Sequence, residues 1–332
     1  MDKIQWYSML VIKLVVAMGG KFKSILFGGL LLASSVSADT YVLPPSDVDV
    51  VGRVEAARVQ KGDTLLDIAR RFDIGQNEIL LANPRLDRWI PSAGAKVVLP
   101  KRFILPEAER HGIVLNIPEM RLYYFPPSRG DAPPQVITHP VSIGRMDWST
   151  PLGTTRVVAK TQDPVWRPPE SIRKEHAEQG DPLPKVVPSG PDNPLGKYAL
   201  RLGIPGYLIH STNKPFGIGM RVTHGCVRMY PEDIERLFPE IPVGTPVTLV
   251  NQPIKTGWFA GELYLEVHPP LEEADIDYEK MLERALTLIE EKTQGDASIR
   301  LHGSAFRKAL EEQTGIPVKI SRTAAVTLAA DL

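Results

Sequence analysis

The chain has 332 residues, enough for two or three domains, and its 43% hydrophobic and 23% charged residues are ordinary for a globular protein. Lys+Arg and Asp+Glu both number 39, so the basic excess that nucleic-acid binding leaves is missing and no nucleic-acid partner is expected. One cysteine, Cys226, excludes an intrachain disulfide and a Cys-rich zinc site, and no metal or cofactor is expected.

Lys21-Phe22-Lys23 precedes the apolar run Ser24–Ala33, and the small residues Ser34-Ser35-Val36-Ser37-Ala38 follow. This order reads as an export signal, residues 1–38, cleaved after Ala38; a membrane span would need about 20 apolar residues. Residues 1–17 fit poorly, because Lys13 breaks a second apolar run, whereas a start at Met18 gives an ordinary basic leader. Export places the lone thiol in an oxidising compartment.

Residues 39–56, with Pro44-Pro45 and several Asp, read as a linker. Residues 57–101 read as a small βααβ module. Arg58-Val59 is a candidate strand, and Leu65, Ile68, Ala69 and Phe72 share one helix face behind a Thr64/Asp67 capping box. Gln76–Ala82 is a second helix, stopped by Asn83-Pro84, and Val97-Val98-Leu99 closes the unit. Residues 103–252 are strand-rich: Ile113–Ile117, Arg121–Phe125, Val136–Ile143, Thr154–Ala159, Tyr207–His210 and Val247–Val250. One helix follows Pro231, with Glu232 and Asp233 in its first turn. Many of the 31 prolines fall between Pro164 and Pro194, which predicts a long loop without regular structure. Residues 253–332 read as a helical C-terminal appendage, with amphipathic helices over Tyr278–Lys292 and Ser304–Thr314. The fold class expected is mainly β with α+β elements.

The chemistry concentrates between Tyr207 and Asp233. His210 ends an apolar strand, and His224 and Gly225 immediately precede Cys226. A free thiol ionises only above neutral pH, so a nucleophilic cysteine needs a neighbouring base, and the base needs a third group to orient it. Gly225 suits a sharp bend whose N–H groups face an oxyanion. The helix after Pro231 would acidify the thiol if its axis points at the sulfur. Spacing alone leaves a buried structural thiol and a His-Cys zinc site as alternatives.

Resemblance narrows these alternatives. "VQKGDTLLDIARRF", "NEILLANPRLD" and "GAKVVLP" resemble a LysM module, which implies binding of N-acetylglucosamine-containing glycan strands. A single module should bind weakly and act by raising local substrate concentration. Thr223-His224-Gly225-Cys226-Val227-Arg228 resembles the S/T-H-G-C-x-R/N signature of L,D-transpeptidases, the YkuD family, and His210-Ser211-Thr212 resembles its upstream His element. "EMRLYYFP", "SIGRMDWSTPLGTTRV", "PVWRPPESIRKEH", "VPSGPDNPLGKYALRL" and "NKPFGIGMRV" fit the Gram-negative branch that carries an N-terminal LysM.

The resemblance implies a periplasmic acyltransferase with a β-rich catalytic domain, needing no cofactor. Cys226 would be the nucleophile and His210 the base, with the Ser211 carbonyl orienting the ring. Thr223, His224, Gly225 and Arg228 would shape the site or contact substrate, and His224 is the rival base. Thr223 and Ser211 stand where relatives often have Ser and Gly, which leaves both catalytic side chains in place. Substrates would be peptidoglycan stem peptides, with a second stem or a lipoprotein Lys as acceptor. The 164–194 stretch would be a lid or substrate wall, and a thiolate–imidazolium pair would be the reactive form. Two rivals fit less well: NlpC-type endopeptidases place Cys before His, and a catalytically dead glycan scaffold would not need both residues intact.

Overall fold

The computed structural model describes residues 39–128, 130–296 and 298–322, so the proposed export signal and Met18 lie outside the described residues. The segment read as a linker carries two strands. β1 (Asp39–Val42) runs antiparallel to a later strand of the main sheet, and β2 (Val50–Gly52) pairs with β5. The glycan-binding-like module then follows as β3 (Glu55–Arg58), α1 (Leu65–Arg71), α2 (Gln76–Ala82) and β4 (Lys96–Leu99), with β5 (Arg102–Ile104) leaving it. β3 pairs β4, and Leu65, Ile68, Ala69, Ile79, Val97 and Leu99 fill its core. The capping box expected at Thr64 is present: Thr64 Oγ1 accepts from Asp67 N at 3.1 Å, and Asp67 Oδ2 accepts from Thr64 N at 2.9 Å.

The catalytic-domain-like region comprises β6 (Gly112–Asn116), β7 (Arg121–Phe125), β8 (Gln135–Gly144), β9 (Gly153–Gln162), α3 (Glu170–Glu178) and β10 (Tyr198–Leu202). It continues through β11 (Leu208–His210), β12 (Arg221–Thr223), β13 (Val227–Met229), α4 (Pro231–Glu240) and β14 (Pro246–Val250). The strands run in the order β8-β13-β11-β10-β9-β14-β6-β7, and β7 pairs again with β8, so the sheet closes on itself as a barrel. β1 and β12 are added along β8. The period-2 alternation of β6 decides what faces inward. Ile113 and Leu115 join the central core, whereas Val114 joins Tyr123, Phe125, Phe103 and Val51 on the outer face beneath β2 and β5. α4 places Ile234 and Leu237 in the central core.

The module is bonded to the barrel through buried charge. Glu78 Oε1 and Oε2 accept from Arg121 Nε and Nη2 at 2.7 and 2.8 Å, and Arg121 is fully buried. His139 Nδ1 lies 3.0 Å from Asp73 and 3.5 Å from Asp233. Burial opposes a charge on His139, but Asp233 and Asp73 outweigh it and push its pKa up to about 10. Arg70 reaches Glu232 at 2.8 and 3.1 Å. The first turn of α2 donates from Gln76 N to Ile218 O at 2.9 Å and from Asn77 N to Gly219 O at 3.2 Å. A side chain on Gly219 would fall 2.5 Å from the Gly75 Cα, so glycine alone permits this approach.

The C-terminal region is less helical than its sequence pattern implies. It opens with the hairpin β15 (Ile254–Phe259) and β16 (Glu262–Val267), then α5 (Tyr278–Thr293), β17 (Arg300–Leu301), α6 (Gly303–Glu312), β18 (Val318–Lys319) and β19 (Ser321–Arg322). β18 pairs with β16, β17 pairs with β19, and α5 and α6 contribute Met281, Ala285, Phe306 and Leu310 to a core shared with the hairpin. Lys255 joins this region to the barrel: its buried Nζ lies 2.8 Å from Glu119 and 2.7 Å from Glu266.

Candidate active site

Two short strands carry the candidate pair. β11 ends at His210, and β13 begins one residue after Cys226. They run parallel with Ile209 opposite Val227 and His210 opposite Arg228. Ile209, Val227 and Met229 enter the central core, so alternation turns Leu208, His210, Cys226 and Arg228 to the other face. The same register carried back one pair sets Cys226 beside Leu208, whose backbone hydrogen-bonds the sulfur. Cys226 and His210 thereby share one face of two adjacent strands. The Cys226 Sγ also lies 3.6 Å from Gly206 O.

Two hydroxyls hold the turn before the cysteine. Thr223 Oγ1 donates to Cys226 O at 2.6 Å, and Thr150 Oγ1 donates to Gly225 O at 3.0 Å while accepting from Gly144 N at 3.0 Å. Gly225 has φ of 94°, and a Cβ there would lie 2.7 Å from the Tyr207 ring, so both its backbone and its surroundings require glycine. The Gly225–Cys226 peptide is planar and trans; with Gly225 O turned to Thr150, the Cys226 N–H faces the opposite way.

Burial dominates the electrostatics. His210 is 4% exposed, and its Nδ1 lies 2.6 Å from Ser211 O. That carbonyl can only accept, so the Nδ1 carries the ring proton and Nε2 keeps its lone pair. Burial, aided by the Arg228 charge, pushes the His210 pKa down to about 3 against the backbone hydrogen bonds to Ser211 and Leu195. Burial likewise pushes the Cys226 thiol up, opposed by the Leu208 hydrogen bond and Arg228. The resting pair is therefore a neutral thiol and a neutral imidazole. Both directions run against the thiolate–imidazolium pair expected from the sequence. α4 starts at Pro231, beyond β13, and its first-turn Asp233 is engaged by His139 and Arg236.

The other residues singled out in the sequence surround the same turn. His224 Nε2 lies 3.0 Å from Glu175 Oε2, and the Trp148 ring meets the His224 ring edge-on at 5.2 Å. Glu175 Oε1 accepts from Arg145 Nη2 at 2.7 Å. Arg228 is largely buried, and its Nε has no hydrogen-bond partner. Glu175 sits on α3, inside the stretch expected to lack regular structure. That stretch is closed at its base by Asn193 Nδ2, which donates to Pro164 O and Pro188 O at 2.8 and 3.0 Å. Its root packs on the residue that follows the candidate base: a Cβ on Gly196 would lie 2.6 Å from the Ser211 Cβ. Sequence reasoning did not single out Thr150, Gly206, Arg145, Trp148 or Glu175. Arg145, Trp148, Thr150 and Glu175 nevertheless lie inside the quoted stretches "SIGRMDWSTPLGTTRV" and "PVWRPPESIRKEH", which were the available signal.

Comparison with known proteins agrees with this arrangement. Residues 110–249 match the model of the L,D-transpeptidase catalytic domain, and residues 57–100 match the LysM domain. The chain is 38% identical over 301 residues to the probable L,D-transpeptidase YcfS of Escherichia coli K12, covering 88% of this chain and 91% of that protein. It is 39% identical over 297 residues to the probable L,D-transpeptidase ErfK/SrfK of the same strain, covering 88% and 94%. Similarity of this extent, on a β-barrel joined to a LysM module, shows that the chain belongs to the L,D-transpeptidase family.

Proposed function

We propose that the protein is a periplasmic L,D-transpeptidase that works on peptidoglycan through Cys226 and His210. One arrangement carries this function: parallel pairing of β11 with β13 puts the sole thiol and a buried imidazole on one face, and the imidazole is held by Ser211 O with Nε2 unprotonated. Cys226 attacks the carbonyl of the third, diamino-acid residue of a tetrapeptide stem as His210 takes the thiol proton. Because both groups are neutral at rest, proton transfer accompanies attack. The Cys226 N–H, turned away from Thr150, is the proposed donor to the oxyanion. His210 returns the proton to the departing D-Ala amine, leaving a thioester. An acceptor amine then attacks that thioester: a stem diamino acid gives a 3–3 crosslink, and a lipoprotein Lys gives an anchor. The LysM module holds the glycan strand. No helix among the described residues is long and apolar enough to cross a membrane, and we assign export to residues 1–38, cleaved after Ala38.

Mass spectrometry of sacculi incubated with purified protein tests the assignment. Wild type should release D-Ala and form 3–3 dimers or lipoprotein-linked stems, and Cys226→Ala should form none. His210→Ala should slow transfer by about 10²–10⁴-fold, the usual loss for a positioned base. His224→Ala should do less, because its Nε2 is directed at a carboxylate rather than at the thiol. A larger loss in His224→Ala than in His210→Ala would reverse the assignment of the base.

A further inference from the structure

The lid brings a carboxylate into the site. Glu175, on α3, places Oε1 2.7 Å from Arg145 Nη2 and Oε2 3.0 Å from His224 Nε2. One carboxylate is thus held by a guanidinium and a ring N–H, the donor set that suits any carboxylate. The receiving groups are fixed in the turn that carries the nucleophile. Arg145 N donates to Thr223 O at 3.0 Å, and Trp148 packs on the His224 ring. The delivering group is not fixed in the same way: α3 buries only Ile172. The Glu175 side chain is 23% exposed, and Arg145 and His224 are 32% and 21% exposed, so water reaches the contact. Such a contact opens easily, and on opening it uncovers the sides of Arg145 and His224 that faced Glu175, at the turn that leads to Cys226.

We propose that Arg145 and His224 form the subsite for the free terminal carboxylate of the donor stem, and that Glu175 fills this subsite while the lid is closed. The proposal rests on the transferase reaction given above. Distance favours this carboxylate. The carboxylate carbon of a terminal residue lies one residue, about 3.8 Å in Cα spacing, beyond the attacked carbonyl. His224 lies two residues from Cys226, within about 7 Å in Cα spacing. The subsite therefore reads where the stem ends. A stem with one more residue carries an amide where the carboxylate belongs, and a donor of four residues is selected. Arg228 adds a second largely buried guanidinium on the nucleophile's own face, which deepens the positive potential once Glu175 withdraws.

The test compares a soluble tetrapeptide stem with the same stem ending in D-alaninamide, following the released D-Ala or D-alaninamide with wild type, Arg145→Gln, Arg145→Lys and Glu175→Gln. Wild type should prefer the free acid by about 10–100-fold in kcat/KM, the usual worth of hydrogen bonds to a charged group. Arg145→Gln should lose that factor on the acid and change little on the amide, so the preference collapses, and Arg145→Lys should keep part of it. Glu175→Gln should lower KM for the acid several-fold, because its internal competitor is weakened. Equal losses on acid and amide in Arg145→Gln would overturn the subsite, and an unchanged or raised acid KM in Glu175→Gln would overturn its occupation by the lid. If wild type turned over neither stem, the transferase reaction would fall and the subsite with it. If wild type turned over the acid and Arg145→Gln kept the preference, the subsite alone would fall.

Discussion

The site has two flanking segments that are fastened by different physics. On the LysM side, Arg121 and Glu78 form a two-pronged pair with Arg121 fully buried, and His139 lies between two buried carboxylates. On the lid side, Glu175 meets Arg145 and His224 where all three are partly exposed. A buried ion pair is expensive to break one partner at a time, whereas a solvent-exposed pair contributes little and is screened. The LysM side is therefore held by contacts that are costly to break, and the 164–194 side, the proposed lid, by contacts that are not. The LysM side also reaches the loop between His210 and Thr223, through Gln76 N to Ile218 O and Asn77 N to Gly219 O. A module expected only to concentrate substrate thus shares backbone hydrogen bonds with the active-site loop.

The strongest way to break this comparison is to remove the module. Deleting residues 39–101 strips β1 from β8 and leaves Arg121 and His139 without their carboxylates from Glu78 and Asp73. We expect the remainder to lose its cooperative melt by circular dichroism and its monodisperse elution. A fragment that melts cooperatively and turns over soluble stems at the full rate would show two separable units. Next in size, Arg121→Met leaves Glu78 buried and unpaired, at about 3–5 kcal/mol, which lowers Tm by roughly 10 °C in calorimetry. Glu175→Gln, its counterpart on the lid, should leave Tm within about 2 °C. Similar shifts for the two variants would erase the distinction.

Salt separates the two sides without mutation. At 1 M NaCl the screening length falls to about 3 Å, so amide exchange across 164–194 should rise several-fold while that of α2 stays unchanged. Equal acceleration in both would mean that the lid and the module open together.

The smallest effect expected is a pH profile that hardly moves. The reactive form of His210 is the neutral ring, and its pKa is depressed to about 3, so proton uptake waits until pH falls toward that value. A carbapenem, whose strained acyl carbon matches the attacked carbonyl, should label Cys226 at rates within about 3-fold between pH 7 and pH 5. A histidine at its ordinary pKa of about 6.5 would lose roughly 20-fold over that range. Intact-protein mass spectrometry reads the single adduct, and half-maximal labelling near pH 6.5 would show that the base is wet.

Local features of this fold were legible, and long-range ones were not. Thr64 with Asp67, the apolar face from Leu65 to Phe72 and the strands around Ile113–Ile117 and Arg121–Phe125 are encoded within a few residues, and each lies within a residue or so of where its pattern placed it. α3 was missed because Ile172 is its only buried residue, which leaves no apolar period to detect. β1 was missed because Asp39–Val42 is short and takes its partner nearly a hundred residues away in β8. That Cys226 and His210 belong together was suggested only by the motif, since alternation on two three-residue strands is too brief to read. The contacts Asp73–His139 and Glu175–His224 join segments 66 and 49 residues apart, and no spacing rule reaches them. The depressed pKa of His210 comes from burial and the Arg228 charge, against the hydrogen bonds to Ser211 and Leu195, and no local pattern reports that balance.

Lys255 makes the start of the barrel depend on a residue that lies beyond its end. Its ammonium is the cation between Glu119 and Glu266; burial works against the charge, and the two carboxylates keep it. Glu119 lies in the hairpin connection that leads the barrel, yet its cation arrives 136 residues later, on the first strand of the C-terminal hairpin. A chain that lacked Lys255 would hold Glu119 buried beside Tyr123 without its ammonium, so a cut just past the last barrel strand would reach back to the hairpin that opens the barrel.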